Sequence, residues 1–149
     1  VKEALDHYRD EFPALKNRKP KWGGFIWFQG WNDMFDQDAL AGYENNLVHL
    51  IKDLRLHFKQ PDLPVVVGEL GNMGEEAGEK MKMIRMAQRR ACKRKEWRGT
   101  VSFVKTTSFA RPKEESPNVG HGHHWFGNAE SYFLIGDALG KRMVSLLGN

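Results

Sequence analysis

The first stretch whose residue types suit chemistry follows an apolar run at positions 25–28, which stops in Gln29, Gly30, Trp31 and Asn32. Gly30 has no Cβ, so its backbone can come close to a ligand. Asn32 can aim its side-chain amide at the place that the Gly30 N–H faces, and these two groups form a donor set suited to an oxyanion. The same residues also suit a simple turn, because Gly and Asn tolerate positive φ.

The second stretch lies far downstream, at positions 120–128, and holds His121, His123 and His124 just before a predicted helix. An imidazole is the usual general base near neutral pH, and a loop that leads into a helix is a natural place to present one. Three histidines so close together could also bind a metal, although alternating His and Gly seldom converge on one ion. A general base, a metal site and a purely structural loop are the three interpretations of this stretch.

The elements that must position these two stretches alternate between helix and strand. Short apolar runs bounded by glycine or proline predict strands, and apolar residues at helical spacing predict helices. The predicted order is a helix over 1–8, a strand over 25–28, a helix over 40–58, a strand over 63–71, a helix over 77–92, a strand over 101–104, a loop over 105–122 and a helix over 129–147. This alternation predicts an α/β fold with a parallel sheet between layers of helices. In such folds the ligand crevice lies at the carboxyl ends of the strands.

Three finer expectations follow from the same patterns. Asp36 or Asp38 is predicted to cap the helix over 40–58. The methionines of the helix over 77–92, such as Met81, are predicted to fill gaps in the core. Three strands are few for a sheet of this kind, so we expect one or two more strands from sequence that this chain lacks.

The composition indicates one globular domain and argues against several classes of partner. The chain has 149 residues, of which 40% are hydrophobic and 28% are charged, with a net charge of +4. The basic run at 89–95 falls at a predicted helix end, where cations complement the helix dipole, so nucleic acid is not expected as a partner. The single cysteine, Cys92, permits no internal disulfide. We find no signal peptide and no apolar run of membrane-spanning length, and no membrane partner is expected.

Residues 27–32 (WFQGWN) and 124–140 (HWFGNAESYFLIGDALG) together resemble the SGNH-hydrolase superfamily, in particular its sialate O-acetylesterase and acetylxylan-esterase-like carbohydrate esterases. The resemblance implies a flavodoxin-like three-layer α/β sandwich. It implies that residues 1–149 are the C-terminal portion of a single SGNH-hydrolase-like domain that is incomplete at its N-terminus. It also implies an O-acetylated carbohydrate as substrate, no cofactor and no metal, and it favours a secreted or periplasmic location.

The resemblance assigns roles to three residues that would do chemistry. The Gly30 N–H and the Asn32 side-chain amide would hold the developing oxyanion. His124 would be the base that activates a serine and later protonates the departing sugar hydroxyl.

The resemblance also implies three substrate-binding positions. Gln29 would support the loop or touch substrate. Trp31 and Trp125 could offer apolar faces to a sugar ring, with simple packing as an equal alternative. Trp31 stands where many relatives carry Glu, so a substrate contact made by that Glu has no counterpart here.

The chain departs from the family pattern in two ways. No serine lies in a Gly-x-Ser turn after a first strand, and the serines that are present fall in other contexts: Ser102, Ser108, Ser116, Ser131 and Ser145. No acidic residue stands between Ser116 and His123, so Asn118, a backbone carbonyl, Glu114 or Glu115 would have to orient His124. The sequence thus predicts part of a serine esterase whose nucleophile comes from a missing N-terminal segment or a second chain. The rival prediction is a non-catalytic carbohydrate-binding or scaffold module with the same fold.

Overall fold

The computed structural model of the chain describes residues 7, 8 and 10–148, and it has the predicted α/β architecture. The strands are Phe25–Trp27 (β1), Val65–Gly68 (β2) and Val101–Val104 (β3), and the main helices are Gln37–His57 (α1), Glu79–Cys92 (α2) and Ala129–Leu147 (α3). The three strands are all parallel, in the order β1-β2-β3, with Phe25 opposite Val65 and Val65 opposite Val101. The predicted helix over 1–8 lies mostly outside the described residues.

The sheet separates two apolar clusters, which makes the fold a three-layer sandwich as predicted. Successive side chains of a strand point to opposite faces. Val65 and Val67 accordingly pack with α1 and α2, whereas Val66 packs with Ile135 and Leu139 of α3. β2 is covered on both faces, and this explains why its four residues form an almost continuous apolar run.

Side-chain caps mark the starts of α1 and α3. Asp36, the first of the two predicted caps of α1, accepts a hydrogen bond from the Ala39 N–H at 2.8 Å. Asn128 caps α3 in the same way, accepting from the Ser131 N–H at 3.1 Å. These side chains satisfy N–H groups that have no partner within the helix. Met81 of α2 is 4% exposed, as expected for a core methionine.

The strand predicted over 63–71 is shorter in the structure and ends at Gly68. The Gly71 N–H donates to the Glu69 carbonyl at 2.8 Å, and this tight turn takes the chain out of the sheet. The predicted loop over 105–122 contains only short 3-10 turns. In the described part of the chain, no helix is long and apolar enough to cross a lipid bilayer.

Candidate active site

A cleft of about 490 Å3 lies at the carboxyl ends of β1 and β2, and it brings the two predicted stretches together. All six site residues expected from the sequence line it: Gln29, Gly30, Trp31, Asn32, His124 and Trp125. Five further residues complete the lining: Phe28, Leu70, Asn72, His123 and Tyr132. The position agrees with the rule that parallel sheets bind ligands where their strands end.

Gly30 occupies a place where a larger residue does not fit. Its φ is +150°, and a Cβ built there would lie 2.9 Å from Ile84 Cγ2 and 3.2 Å from Tyr43 Oη. The preceding carbonyl, that of Gln29, accepts hydrogen bonds from the Tyr43 hydroxyl at 2.6 Å and from Gln88 Nε2 at 3.1 Å. The backbone of this loop, residues 28–32, is therefore held from the core side.

The side chains of the same loop differ in how firmly they are held. Gln29 donates from Nε2 to Asp33 Oδ2 at 2.8 Å, a contact that supports the loop. Trp31 is half-buried, and its ring centroid lies 5.7 Å from that of His123. Asn32 is exposed at the start of a short 3-10 turn, Asn32–Phe35, so its amide is open to a ligand.

The histidine loop, residues 121–127, is held by its aromatic residues. Trp125 and Phe126 both have left-handed backbone angles, with φ of 52° and 53°, yet they are 5% and 8% exposed. Such angles cost roughly 1–3 kcal/mol per residue unless the surroundings impose them. Trp125 packs on Phe28 with ring centroids 6.1 Å apart and belongs to the core beneath α3. Trp125 therefore forms a buried wall of the cleft and exposes little of its ring to a ligand.

The three imidazoles of the histidine loop are exposed and crowded together. The ring centroids of His123 and His124 are 4.2 Å apart, and those of His121 and His123 are 5.2 Å apart. The pKa of His123 lies below its ordinary value. Partial loss of hydration is the largest cause, and the neighbouring His124 and His121 lower it further. Among the described residues, no three His, Cys, Asp or Glu side chains are arranged to share a metal ion.

Two of the expected orienting partners of His124, Asn118 and Glu114, contact other groups. Asn118 Nδ2 is 2.9 Å from His121 Nδ1, so this amide contacts a different imidazole. Glu114 forms an ion pair with Lys113. Within the described ranges, no carboxylate is paired with any of the three imidazoles. The backbone of His124 is fixed from α3, since the Tyr132 hydroxyl donates to its carbonyl at 3.0 Å.

Asn72 supports the histidine loop and did not emerge from the sequence. It is 1% exposed, and its Nδ2 donates to the carbonyls of Gly122 at 3.1 Å and His123 at 3.2 Å. Arg85 of α2 in turn donates to the carbonyls of Asn72 at 2.8 Å and Leu70 at 2.7 Å. An Asn that follows a buried strand at the edge where β1 also ends is the signal that could have identified it.

Glu69, the acidic residue that directly follows β2, bonds to the loop after β3. Glu69 is 5% exposed, and its Oε2 accepts from the N–H groups of Thr106 and Thr107 at 2.9 Å and 3.0 Å. The Thr107 hydroxyl donates to the same oxygen at 2.5 Å. Glu69 therefore ties the end of β2 to the loop after β3 and does not line the cleft.

The cleft thus has two kinds of chemical group on its walls. A backbone N–H and a side-chain amide lie in one loop, and neutral or protonated imidazoles lie in the other. Hydrogen-bond donors stabilise an oxyanion as it forms, and an imidazole accepts a proton from a nucleophile and returns it to a leaving group. This combination suits acyl transfer.

Comparison with protein families matches residues 3–144 to the family described as "carbohydrate esterase, sialic acid-specific acetylesterase". The match spans β1, both loops of the cleft and nearly all of α3. It confirms the resemblance found in the two short stretches. Searches of curated proteins and of solved structures gave no match.

Proposed function

Since the chain belongs to the sialic acid-specific acetylesterase family of carbohydrate esterases, we propose that it forms part of a serine-type site that removes O-acetyl groups from sugars. The family supports carbohydrate esterase activity in general and an acetylated carbohydrate as substrate. The observation that carries the finer proposal is the single cleft lined by Gly30, Asn32 and His124.

The proposed reaction is a two-step acyl transfer. A serine hydroxyl attacks the acetyl carbonyl carbon while His124 takes its proton, and the Gly30 N–H and Asn32 amide stabilise the oxyanion. The oxyanion collapses to an acetyl-serine, and His124 gives its proton to the departing sugar oxygen. Water then attacks the acetyl-serine while His124 takes one of its protons, and His124 gives that proton to the serine oxygen as acetate leaves. Each oxyanion donor is worth about 3 kcal/mol of transition-state stabilisation.

The nucleophile in this proposal comes from another segment, of the same polypeptide or of a second chain. No described serine lines the cleft. Ser102 accepts a hydrogen bond from Arg142, and Ser131 donates to the Phe109 carbonyl at 2.7 Å, so both have structural partners.

The place for the incoming segment is the outer edge of β1. Among the described residues β1 pairs only with β2, and Ile26 on β1 is 45% exposed. A parallel strand added there would end beside Gly30 and could carry the serine to the cleft.

The test is hydrolysis of 4-nitrophenyl acetate and of an O-acetylated sialic acid by the polypeptide as its gene encodes it, with any residues that precede Val1. His124→Ala should lower kcat by about 10²- to 10⁴-fold, the usual contribution of a general base. The matched control is His121→Ala, because that imidazole contacts Asn118 and does not line the cleft. Activity that survives His124→Ala would contradict the proposed base. Binding of the O-acetylated sugar without any hydrolysis would favour the non-catalytic module instead.

A further inference from the structure

Two buried side chains contact the carbonyl that precedes Gly30. Tyr43 of α1 is 3% exposed and Gln88 of α2 is completely buried. The Tyr43 hydroxyl donates to the Gln29 carbonyl at 2.6 Å, and Gln88 Nε2 donates to it at 3.1 Å. A carbonyl oxygen has two lone pairs, so these two donors saturate it.

Tyr43 and Gln88 are themselves fixed by further hydrogen bonds. Gln88 Oε1 accepts from the Leu70 N–H at 2.9 Å, which determines which end of the amide faces Gln29. The Trp27 indole donates to the Tyr43 hydroxyl at 3.1 Å. Burial raises the pKa of Tyr43 above its ordinary value, so its hydroxyl keeps the proton that it donates. The network therefore has a single arrangement of donors and acceptors.

The direction of the Gly30 N–H follows from the planarity of the peptide. The described chain has no cis peptide bond, and in a trans peptide the C=O and the following N–H point in opposite directions. The Gln29 carbonyl points into the core, towards α1 and α2. The Gly30 N–H consequently points away from the core, on a residue that lines the cleft. No described group accepts a hydrogen bond from this N–H.

We infer that Gln88, together with Tyr43, is a positioning residue that keeps the Gly30 N–H facing the cleft. Glycine permits a peptide rotation that would replace this N–H by the Gln29 carbonyl oxygen, which repels an oxyanion. Such a rotation would break both hydrogen bonds in the core. This inference rests on the proposed role of Gly30 as an oxyanion donor.

The experiment follows the Gly30 amide directly, in chain labelled with 15N-glycine. The probe is methanesulfonate, a tetrahedral anion with a methyl group and no titration near neutral pH. In the wild type, the Gly30 cross-peak should shift in a saturable way as the probe is added. Gln88→Met keeps the volume and removes the three hydrogen bonds of the amide, to Gln29, Leu70 and Tyr43. It should weaken the Gly30 response about tenfold, the loss expected for one hydrogen bond to a charged group. The cross-peaks of Gly136 and Gly140 on α3 report that the variant is folded.

Gln88→Glu gives a rescue that a merely structural role would not produce. A protonated carboxyl can donate to Gln29 and accept from Leu70 as the amide does, whereas the ionised form cannot donate. Burial raises the pKa of such a carboxyl. The Gly30 response of Gln88→Glu, taken relative to the wild type at each pH, should therefore recover as the pH falls, while that of Gln88→Met should not.

The outcomes separate this inference from the proposed function. A wild-type Gly30 cross-peak that does not shift when methanesulfonate is added would overturn both the positioning inference and the proposed function. A wild-type response that persists undiminished in Gln88→Met would overturn the positioning role alone. If Gln88→Met fails to fold, Tyr43→Phe removes the other donor from the same carbonyl, and an unchanged Gly30 response there would overturn the inference. Ile51→Val, a small core deletion in α1 that removes no hydrogen bond, should leave the response intact.

Discussion

The two loops of the cleft differ in what holds them. The Gly30 loop, residues 28–32, is held at its backbone by buried polar side chains, and only glycine fits at position 30. The histidine loop, residues 121–127, is held by two buried aromatic side chains, Trp125 and Phe126, and by Asn72, while its imidazoles stay exposed. Donors that stabilise a transition state work best when they are fixed in advance. A base can be oriented by its partner, and in the proposed reaction the segment that carries the serine would complete the orientation of His124.

The largest expected effect comes from removing the aromatic support of the histidine loop. Trp125→Ala should lower the free energy of unfolding by about 4 kcal/mol, because it leaves a cavity beneath α3. Urea denaturation measures this loss. The matched control is Phe133→Ala on α3, an aromatic that is 72% exposed. Equal losses in the two variants would mean that Trp125 does not hold its loop through packing.

Crowding at the Gly30 loop should have the next largest effect on stability. Gly30→Ala should lower the free energy of unfolding by about 3 kcal/mol, because the added methyl meets Ile84 and the backbone angle is strained. Gly140→Ala on α3 is the control, since nothing lies within 4 Å of its added Cβ. That variant should gain up to about 1 kcal/mol through helix propensity. If Gly30→Ala were as stable as Gly140→Ala, position 30 would not require glycine, and this difference between the two loops would disappear.

Removing the link between the end of β2 and the histidine loop should have an intermediate effect on the free energy of unfolding. Asn72→Ala leaves the carbonyls of Gly122 and His123 without their donor, and we expect a loss of about 2 kcal/mol. Hydrogen exchange of the amides at 121–127 should also become faster, while that of the amides in β2 should not. Asn45→Ala, on the exposed side of α1, is the control and should change neither quantity. Unchanged exchange in Asn72→Ala would show that the aromatic residues alone hold the loop.

The smallest effect concerns the charge state of the exposed histidines. His123 should titrate below its ordinary value of 6.5, and His124→Asn should raise its midpoint part of the way back, since hydration loss is the larger cause. A folded-state pKa below the unfolded one means that protonation favours unfolding. The contribution of His123 to stability is therefore present above pH 6.5 and is lost as the pH falls through the lowered pKa. An NMR titration in which the His123 midpoint lies at or above 6.5 would contradict this.

The sequence was sufficient for the architecture because the signals there were local. Apolar runs gave the three strands, helical spacing gave the three helices, and Asp36 marked the start of α1. The two cleft loops could be paired because both carry unusual residue types and both follow or precede a predicted element. Their assignment to one cleft rested on the resemblance as well as on the position of strand ends.

The supporting residues could not be predicted, for a physical reason. Gln88 and Arg85 lie on the buried face of α2, where a polar residue looks out of place until its partners from other elements are known. Asn72 supports a loop that lies far along the chain, and no spacing rule connects the two. The left-handed angles of Trp125 and Phe126 run against the preferences of aromatic residues, so only packing explains them.

Arg85 and Gln88 lie three positions apart on α2, and each serves a different loop of the cleft. Gln88 reaches Gln29 directly, and Arg85 reaches the histidine loop through Asn72. One rigid helix therefore acts as a common frame of reference for both walls. A tilt of α2 would move residues 28–32 and the histidine loop in the same direction. Thermal motion would therefore change the width of the cleft less than it would if the two loops had independent supports.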